Sequence, residues 1–163
     1  MESLKLYEIE PEYIDYISEF APHLFHNKKP GQSHDRKYIG VILYINGFDY
    51  FAPLSSFKTK HYSMKESIDF IKIKKYAVIN LNNMFPAPLH ICKYINISAQ
   101  RDKKYRDLLL AEYRFIKSIQ DKIRKNAQTI FHLKQKDGNS TSLSKRCNDF
   151  KALEEACKKY KSK

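Results

Sequence analysis

The chain has 163 residues, of which 42% are hydrophobic and 13% aromatic, and a formal net charge of +12. This length and apolar content allow one folded domain with a hydrophobic core and exclude a disordered polycation. No apolar run approaches the roughly 18 residues that cross a membrane, and the acidic N-terminus does not resemble a signal peptide. The three cysteines are odd in number and widely spaced, as in reduced proteins. We therefore expect a soluble, cytoplasmic protein.

The charge is distributed unevenly along the chain. Residues 91–163 hold 19 of the 30 basic residues and 8 of the 18 acidic ones, which gives them a net charge of +11 and leaves +1 for residues 1–90. A basic field of this size attracts polyanions. Nucleic acid is favoured over an anionic membrane because no segment places a lysine-rich face opposite a Trp/Phe/Leu face. A DNA-binding regulator is disfavoured because no helix-turn-helix spacing is evident.

The N-terminal part predicts one strand, one short helix and a long loop. Residues 4–9 alternate between apolar and polar side chains, which indicates a strand. Pro11 suits the first turn of a helix, and Ile14 and Ile17 follow at helical spacing. Residues 23–37 are polar, contain Pro-Gly and are rich in cations, so we predict a loop that carries function.

An Asn-Gly dipeptide marks the clearest turn in the chain. Asn46-Gly47 separates two apolar runs, and this dipeptide favours the positive φ angles of a tight hairpin turn. We predict antiparallel strands over 38–46 and 48–54. Pro53 lacks an N–H group and limits pairing near the exit of the second strand.

Beyond the hairpin, the pattern changes from alternation to helical spacing. Residues 63–75 are ambiguous, because Ser63 and Glu66 suggest a capping box whereas the following residues alternate; we favour a short helix followed by a strand. From residue 102 onward, apolar residues recur every three to four positions, which predicts a long helix with a basic face. No repeat or linker is evident, so we predict a single α+β domain over 1–163. The remaining predictions are strands over 76–84 and 89–97, helices over 102–133 and 148–160, and a turn at 137–140.

The exit of the second hairpin strand holds residues suited to cutting a phosphodiester. Ser55, Ser56, Lys58, Lys60 and His61 follow directly on that strand. A lysine can stabilise charge on phosphoryl oxygens, serine hydroxyls can donate hydrogen bonds to them, and histidine has the intrinsic pKa for proton transfer. Judged on spacing alone, a solvated polar turn at a strand exit is the simpler explanation of these residues.

Basic residues outside this segment are candidates for RNA binding. Antiparallel pairing brings the start of the hairpin near Ser55, so Arg36 and Lys37 could clamp a phosphate at the same rim. Aromatic residues interleaved with the cations of this C-terminal region could stack on exposed bases, namely Tyr94, Tyr105, Tyr113 and Phe115. A solvated loop and a solvated helix face are the alternatives. The RNA-binding candidates are Lys28, Lys29, Lys37, Tyr38, Lys60, Asn83, Lys103, Lys104, Arg106, Arg114 and Lys117.

Metal and cofactor sites are not predicted. His23, His26 and His34 lie in one loop with Asp35, but their spacing matches no zinc pattern. The chain has only 4 glycines and neither a Walker loop nor a dinucleotide fingerprint. Acidic residues are sparse around 55–61, which argues against a two-metal mechanism. We expect no metal and no cofactor.

Three sequence blocks occur in a distinctive order: YIGV at 38–41, YFAPLSSFK at 50–58 and INLNNMFP at 79–86. In this order they resemble the toxins of type III toxin–antitoxin systems, the ToxN/AbiQ group. The similarity covers nearly the whole chain, from the first helix to a terminal Leu-Glu-Glu element. The blocks at 50–58 and 79–86 are fairly specific together, and either alone would be weak evidence for the family.

The resemblance implies a metal-independent endoribonuclease with a strongly curved antiparallel sheet, similar to the Kid/MazF toxins, flanked by helices. The long basic helix near the C-terminus belongs to this expected architecture. The resemblance also implies an RNA antitoxin of pseudoknotted repeats that joins protomers into a closed protein–RNA oligomer, in systems that serve phage abortive infection. Cellular or phage RNA is the implied substrate, cut by 2′-OH attack to leave a 2′,3′-cyclic phosphate.

Four residues fall on the family's active-site positions. Ser55, Ser56 and Lys58 fall on its [Ser/Thr]-Ser-x-Lys motif, and Arg36 falls where the family has a catalytic-site lysine. We add His61 as a further candidate for proton transfer. Two departures stand out, namely Phe57 where proline is usual and Gln32 where a relative has an active-site tyrosine. The alternative function is a non-catalytic, basic RNA-binding module.

Overall fold

The computed structural model describes residues 3–21 and 38–161, and these ranges contain seven strands and five α-helices. The strands are β1 (Leu6–Ile9), β2 (Tyr38–Ile45), β3 (Phe48–Ser56), β4 (Phe70–Ile73), β5 (Ala77–Asn80), β6 (Phe85–Pro86) and β7 (Cys92–Tyr94). The helices are α1 (Pro11–Ser18), α2 (Lys103–Ser118), α3 (Gln120–Asp137), α4 (Ser142–Arg146) and α5 (Phe150–Lys159). The prediction of mixed helices and strands is confirmed.

The predicted hairpin is confirmed, and its turn has the expected backbone. Asn46 and Gly47 have φ angles of 54° and 80°, the positive values that this two-residue turn requires. The register runs from Ile45 opposite Phe48 to Gly40 opposite Pro53. Gly40 lies where the strands approach closely, because a Cβ there would clash with the carbonyl oxygen of Ala52.

Strand β3 is the centre of the antiparallel sheet and changes partner along its length. The strand order is β4-β5-β3-β2-β1-β7, and β6 also pairs with β3. The register of β3 with β2 ends at Pro53, and the next three residues, Leu54 to Ser56, pair with β5. The predicted limit on pairing near Pro53 is therefore confirmed. This change of partner carries the end of β3 beyond β2 while β5 still supports it.

Alternation along β3 divides the hydrophobic core between the two faces of the sheet. Tyr50 and Ala52 belong to a cluster that includes Ile116 of α2. Phe51, between them, belongs to a second cluster that includes Ile14 of α1 and residues of α5. Since successive strand residues point to opposite faces, the sheet lies between these two layers. None of the helices in the described ranges is both long and apolar enough to span a membrane.

The single long helix predicted over 102–133 is wrong, because the structure has two helices that meet at Ile119. Ile119 leaves the helical region with φ −118° and ψ 16°. The Ser118 hydroxyl donates to the carbonyl of Phe115 at 2.6 Å, a back-bond that competes with helix continuation. After the break, the Gln120 side chain accepts a hydrogen bond from the N–H of Leu4 at 2.9 Å. The break therefore ties the helical layer to the chain just before β1.

The region between the hairpin and α2 contains more turns than predicted. No helix forms within residues 63–69, because the Glu66 carboxylate accepts from the N–H of Lys72 at 2.8 Å instead of capping a helix. The strand predicted over 76–84 is reduced to β5, followed by a 3-10 turn and the short β6. The strand predicted over 89–97 is reduced to β7, and α4 was not predicted.

A set of partly buried hydrogen bonds, here called the polar belt, joins the INLNNMFP block to the C-terminal helices. It consists of Asp69, Asn82, Arg146 and Asn148. The Arg146 guanidinium donates to both carboxylate oxygens of Asp69, at 2.6 Å and 2.8 Å. Asn82 donates to the Arg146 carbonyl at 3.2 Å and accepts from the N–H of Asn148 at 2.9 Å. The belt thus fixes the turn after β5 against α4 and the start of α5.

The last helix is anchored to the hairpin turn by a buried carboxylate. Glu154 accepts hydrogen bonds from the Tyr50 hydroxyl at 2.6 Å and from the Asn46 side chain at 3.1 Å. Asn46 therefore forms the turn and also holds α5. The terminal Leu-Glu-Glu element has a structural role through its first glutamate.

The cysteines are unpaired, as predicted. Cys147 and Cys157 are buried and Cys92 is half-buried. Burial raises the pKa of Cys92 to about 12 and that of Cys147 to about 11. These thiols are therefore protonated at neutral pH and do not offer a thiolate nucleophile.

Candidate active site

The two serines of the motif lie at the exposed end of β3. Ser55 pairs with Val78 and Ser56 with Ala77, so β5 supports both backbones although both side chains are exposed. Successive strand residues point to opposite faces. Ala52 and Leu54 pack in the layer that contains α2, and Ser56 follows them on that face. The hydroxyl of Ser56 is thus presented on the α2 side, and that of Ser55 on the other.

A reciprocal pair of hydrogen bonds fixes the backbone of Lys58. The N–H of Lys58 donates to Nδ1 of His61 at 2.8 Å, and the N–H of His61 donates to the carbonyl of Lys58 at 2.9 Å. These bonds close a 3-10 turn over Thr59–Tyr62. The side chain of Lys58 remains exposed. The strand and this turn together fix the backbone of Lys58 two residues after Ser56, with the ammonium group open to solvent.

His61 is built into the turn rather than exposed at its surface. Its relative exposure is 5%, and its ring contacts those of Phe57 and Phe70 at centroid distances of 5.4 Å and 5.6 Å. Burial lowers the pKa of His61, and the nearby Lys60, Lys58 and Lys72 lower it further. An acceptor role at Nδ1 places the proton on Nε2 of the neutral ring. The geometry gives His61 a positioning role for Lys58, and proton transfer by His61 stays a prediction.

Part of the predicted site lies outside the described residues. This applies to the clamp residues of the cationic loop, to the departure at Gln32 and to the loop histidines. Tyr38 begins β2 opposite Ile9 and is half-buried against the second hydrophobic cluster. Because Gly40 pairs with Pro53, the start of β2 does reach the end of the sheet where Ser55 lies. The residues outside the description are Arg36, Lys28, Lys29, Lys37, Gln32, His23, His26, His34 and Asp35.

The predicted basic residues of α2 divide into exposed and structural ones. Lys103, Arg114 and Lys117 are exposed. Arg114 follows Lys103 by 11 positions and Lys117 follows it by 14, which are close to whole numbers of helical turns, so the three side chains lie on one helix face. Lys104 is exposed on a different face. Arg106 is half-buried and donates to the carbonyl of Gln100 at 3.0 Å. The exposed face of α2 is therefore the part of the predicted basic helix that is open to a polyanion.

The two remaining candidates differ in their surroundings. Lys60 is exposed within the turn that follows Lys58. Asn83 is half-buried in the 3-10 turn after β5, where its side-chain oxygen accepts from Asn82 at 3.3 Å. Lys60 therefore belongs to the rim of the candidate site, whereas Asn83 adjoins the polar belt.

A cleft beside the motif was not predicted from the sequence. We call it the aromatic–lysine cleft; its volume is about 720 Å³. Its four aromatic rings come from three separate parts of the chain, so no local sequence pattern predicts the cleft. Only the stacking role suggested for Phe115 pointed toward it. Its main lining residues are Phe57, Tyr62, Lys72, Lys75, Tyr76 and Phe115.

The described ranges contain no group of three or more His, Cys, Asp or Glu side chains placed to hold a metal ion. The chemistry that the site offers is instead hydroxyl and ammonium groups at a rim. Such groups bind and polarise a phosphate by hydrogen bonding and charge.

Comparison with known proteins shows the family to which this chain belongs. Residues 5–158 match the family model described as toxin ToxN of type III toxin–antitoxin systems. The chain is 34% identical over 167 residues to an endoribonuclease ToxN of Bacillus thuringiensis subsp. kurstaki, covering 98% of this chain and 85% of that protein. It is 27% identical to the endoribonuclease AbiQ of Lactococcus lactis subsp. lactis, covering 99% of this chain and 91% of that protein.

Solved structures agree in fold over the whole chain. One, described as a type III toxin inhibited selectively by a non-coding RNA pseudoknot, has a TM-score of 0.74 and 30% identity and covers 99% of this chain and 100% of its own. The lactococcal anti-phage endoribonuclease AbiQ has a TM-score of 0.76 at 24% identity, with 96% and 97% coverage, which shows the shared fold. The chain therefore belongs to the ToxN family of toxins from type III toxin–antitoxin systems.

Proposed function

We propose that the protein is an endoribonuclease toxin whose cutting site is the rim formed by Ser55, Ser56 and Lys58. The observation that carries this proposal is the rigid support of an exposed Ser56 and Lys58, by β5 on one side and by His61 on the other. Similarity to proteins named as endoribonucleases supports the same conclusion. Preorganised donors stabilise a transition state better than mobile ones.

In the proposed reaction, the 2′-oxygen of the substrate attacks the adjacent phosphorus while the bond to the 5′-oxygen breaks. The Ser56 hydroxyl donates to a non-bridging oxygen, and the Lys58 ammonium stabilises the charge that develops there. Water accepts the proton of the 2′-OH and gives one to the leaving 5′-oxygen, so the products are a 2′,3′-cyclic phosphate and a 5′-OH. Ser55, whose hydroxyl lies on the other face of β3, takes a supporting role through its backbone pairing with Val78, and Arg36 adds positive charge.

We further propose that the exposed face of α2 binds RNA and that the inhibitor of the toxin is an RNA. Lys103, Arg114 and Lys117 share this face and can contact successive phosphates. A related toxin at 30% identity is described as inhibited by a non-coding RNA pseudoknot, which supports a pseudoknotted antitoxin here. In a closed protein–RNA oligomer, the RNA would contact both the cutting rim and this face of α2.

The cleavage experiment uses purified protein, single-stranded RNA and excess EDTA. We expect cutting in EDTA, with products that carry a 2′,3′-cyclic phosphate at one end and a 5′-OH at the other. A single 2′-deoxy substitution at the mapped site should abolish cutting there. Intact RNA that nevertheless binds the protein would favour the non-catalytic RNA-binding module instead.

A growth experiment tests the toxin role in cells. Expression without the antitoxin RNA should stop growth, and Ser56→Ala should relieve the arrest at equal protein level. The matched control is Ser140→Ala, which removes an exposed serine from the turn after α3. Unimpaired growth with well-expressed wild-type protein would contradict the proposal. Copurification of a short repeat RNA with the protein would support the antitoxin.

A further inference from the structure

We propose that the aromatic–lysine cleft binds one unpaired base of the RNA strand being cut, next to the scissile phosphate. The inference rests on the proposed endoribonuclease function and adds a base-binding subsite to it. The volume of about 720 Å³ lies within the range of roughly 300–1,000 Å³ found for small-molecule sites. The occupant that we assign is a base of the substrate strand.

The position of the cleft follows from the register of the sheet. Ser56 pairs with Ala77, so the residues that come next, Phe57 and Tyr76, leave the paired strands side by side. Both line the cleft. Lys58 follows Phe57 directly in the chain. The cleft therefore begins at the same strand end as the proposed phosphate site, with Phe57 between Ser56 and Lys58 in the chain.

Two of the four rings of the cleft are exposed, and Phe57 is held by its neighbours. Tyr62 is 61% exposed and Tyr76 is 40% exposed, although large aromatic side chains usually contribute to a core. Phe57 contacts Tyr62 edge-to-face at a centroid distance of 4.9 Å. Phe57 also contacts the buried ring of His61. The turn that positions Lys58 thus also fixes a stacking surface, and a base can stack on such a surface at low entropic cost.

Charge selects a nucleic acid as the occupant. The Lys75 ammonium lies over the Tyr62 ring at 5.5 Å, and the Lys74 ammonium lies over the Phe115 ring at 5.6 Å. The carboxylate of Glu66, which also lines the cleft, contacts the Lys122 ammonium at 3.3 Å. The cleft therefore combines aromatic rings with net positive charge, which suits a base and its phosphate rather than an apolar peptide.

Binding of a base would rearrange one contact. Stacking of a base on an aromatic ring is stronger than an exposed cation–π contact, so a base can replace the Lys75 ammonium on Tyr62. The displaced ammonium is then free to bind the phosphate of the same nucleotide. This exchange keeps both the ring and the lysine in contact with RNA.

The test compares wild-type protein with Tyr62→Leu, which removes a ring while keeping apolar bulk. The matched control is Tyr44→Leu, since Tyr44 is a 71% exposed tyrosine on β2. Each protein cuts an oligonucleotide with a mapped cleavage site and versions with one abasic nucleotide on either side of it. We expect one abasic position to raise KM by roughly 5- to 100-fold in wild-type protein and in Tyr44→Leu, as expected for one stacked base. The same position should change KM less than twofold in Tyr62→Leu.

Two outcomes overturn the inference while leaving the proposed function intact. The first is that neither flanking abasic position slows cleavage by wild-type protein, a result that would favour a protein partner as the occupant of the cleft. The second is an abasic effect that is equally large in Tyr62→Leu. Thermal denaturation of both tyrosine variants confirms that they fold.

A binding assay separates this inference from the proposed function. Ser56→Ala and the double variant Ser56→Ala/Tyr62→Leu are mixed with the same RNA carrying 2-aminopurine at each flanking position. Fluorescence quenching at one position in Ser56→Ala that is lost in the double variant supports the base site, even if wild-type protein cuts no RNA. Absence of quenching at every position in Ser56→Ala overturns the base site.

Discussion

Two of the three sequence blocks that carry the family resemblance have opposite physical roles; we call residues 50–58 the first block and residues 79–86 the second block. The first block ends in a segment with the exposed side chains of Ser55, Ser56 and Lys58. The second block is largely buried, and its polar residue Asn82 bonds to the segment around α4. A sequence motif can therefore be specific for a family either because it reacts or because it holds the reacting part in place.

The two blocks are also mechanically linked. Leu54 pairs with Ile79, so β3, which presents Ser56, is hydrogen-bonded to β5, which contains the first residues of the second block. The polar belt fixes the turn after that strand through Asn82 and Asp69. Changes in the second block should therefore act on stability first, and on activity only through folding.

The largest expected effect in the polar belt comes from Arg146→Met. This change leaves the carboxylate of Asp69 buried with one side-chain donor fewer, which costs several kcal/mol for a fully buried pair. Because the Arg146 side chain is 46% exposed, we expect a smaller loss, about 2–4 kcal/mol in the free energy of unfolding at pH 7. Urea denaturation measures it. The control is Arg101→Met, which removes an exposed arginine.

The same pair gives a pH dependence with a defined sign. Burial of Asp69 opposes ionisation, but hydrogen bonds from Arg146 and Ser67 outweigh it, so the pKa of Asp69 lies below its usual value of 3.8. The stabilisation is present above that value and is lost as the pH falls below it. The gap between wild-type and Arg146→Met should therefore shrink below about pH 4. An equal gap at pH 7 and pH 3 would contradict this account of the belt.

A substitution outside both blocks should raise stability. Burial raises the pKa of Glu112 on α2 to about 7 from 4.5. Its folded state binds more protons than the unfolded state between these values, so stability falls as the pH rises through them. Glu112→Gln should therefore stabilise the protein at pH 8 by up to about 3 kcal/mol and have little effect below about pH 4.

Glu112→Gln also separates the stabilising role of the second block from the catalytic role of the first. Combined with Arg146→Met, it should restore activity that was lost through unfolding. Combined with Ser56→Ala, it should restore none. The control Glu155→Gln removes an exposed glutamate on α5 and should not change stability with pH in this way. Rescue of Ser56→Ala by Glu112→Gln would contradict a catalytic role for the first block.

An intermediate effect is expected at His61. If it positions Lys58, His61→Ala should lower kcat about tenfold, the equivalent of one lost hydrogen bond. His61→Asn should retain most activity, because the asparagine oxygen can accept from the N–H of Lys58 in place of Nδ1. General acid–base catalysis would instead make both variants lose about 100- to 10,000-fold. The pH–rate profile of His61→Asn between about pH 6 and 8 separates the two roles further.

The smallest effect is expected for Asn82→Ala. It removes the bond to the Arg146 carbonyl while leaving the guanidinium of Arg146 on Asp69. We expect a loss of about 1 kcal/mol in the free energy of unfolding and an unchanged kcat at a temperature where the variant is folded. A large fall in kcat without loss of stability would mean that the second block takes part in the reaction.

Local patterns predicted the elements whose signals are local. The hairpin could be predicted because Asn46-Gly47 needs no distant partner to favour its turn. The helix break at Ile119 could not, because apolar residues continue at helical spacing through it, and the hydrogen bond of Gln120 reaches back to Leu4. Glu66 suggested a capping box, yet its carboxylate accepts from the N–H of Lys72 and from the Lys122 ammonium of α3 instead.

The candidate site was predictable to the same degree. Ser55, Ser56 and Lys58 adjoin one another in sequence, so their common position at a strand exit could be anticipated. The buried, positioning geometry of His61 could not, because it depends on Phe70 from another strand. The aromatic–lysine cleft is assembled from distant segments, so its existence depends on the fold.

The central claim is that residues 55–58 react while residues 79–86 support them, and paired measurements on Ser56→Ala test it most directly. The RNA cleavage rate and the free energy of unfolding are measured on the same preparation, with Ser140→Ala as control. We predict a rate loss of about 100- to 1,000-fold, as for removal of one transition-state donor, with stability within about 0.5 kcal/mol of wild-type. An unchanged cleavage rate, or a rate loss matched by a loss of stability, would contradict the claim.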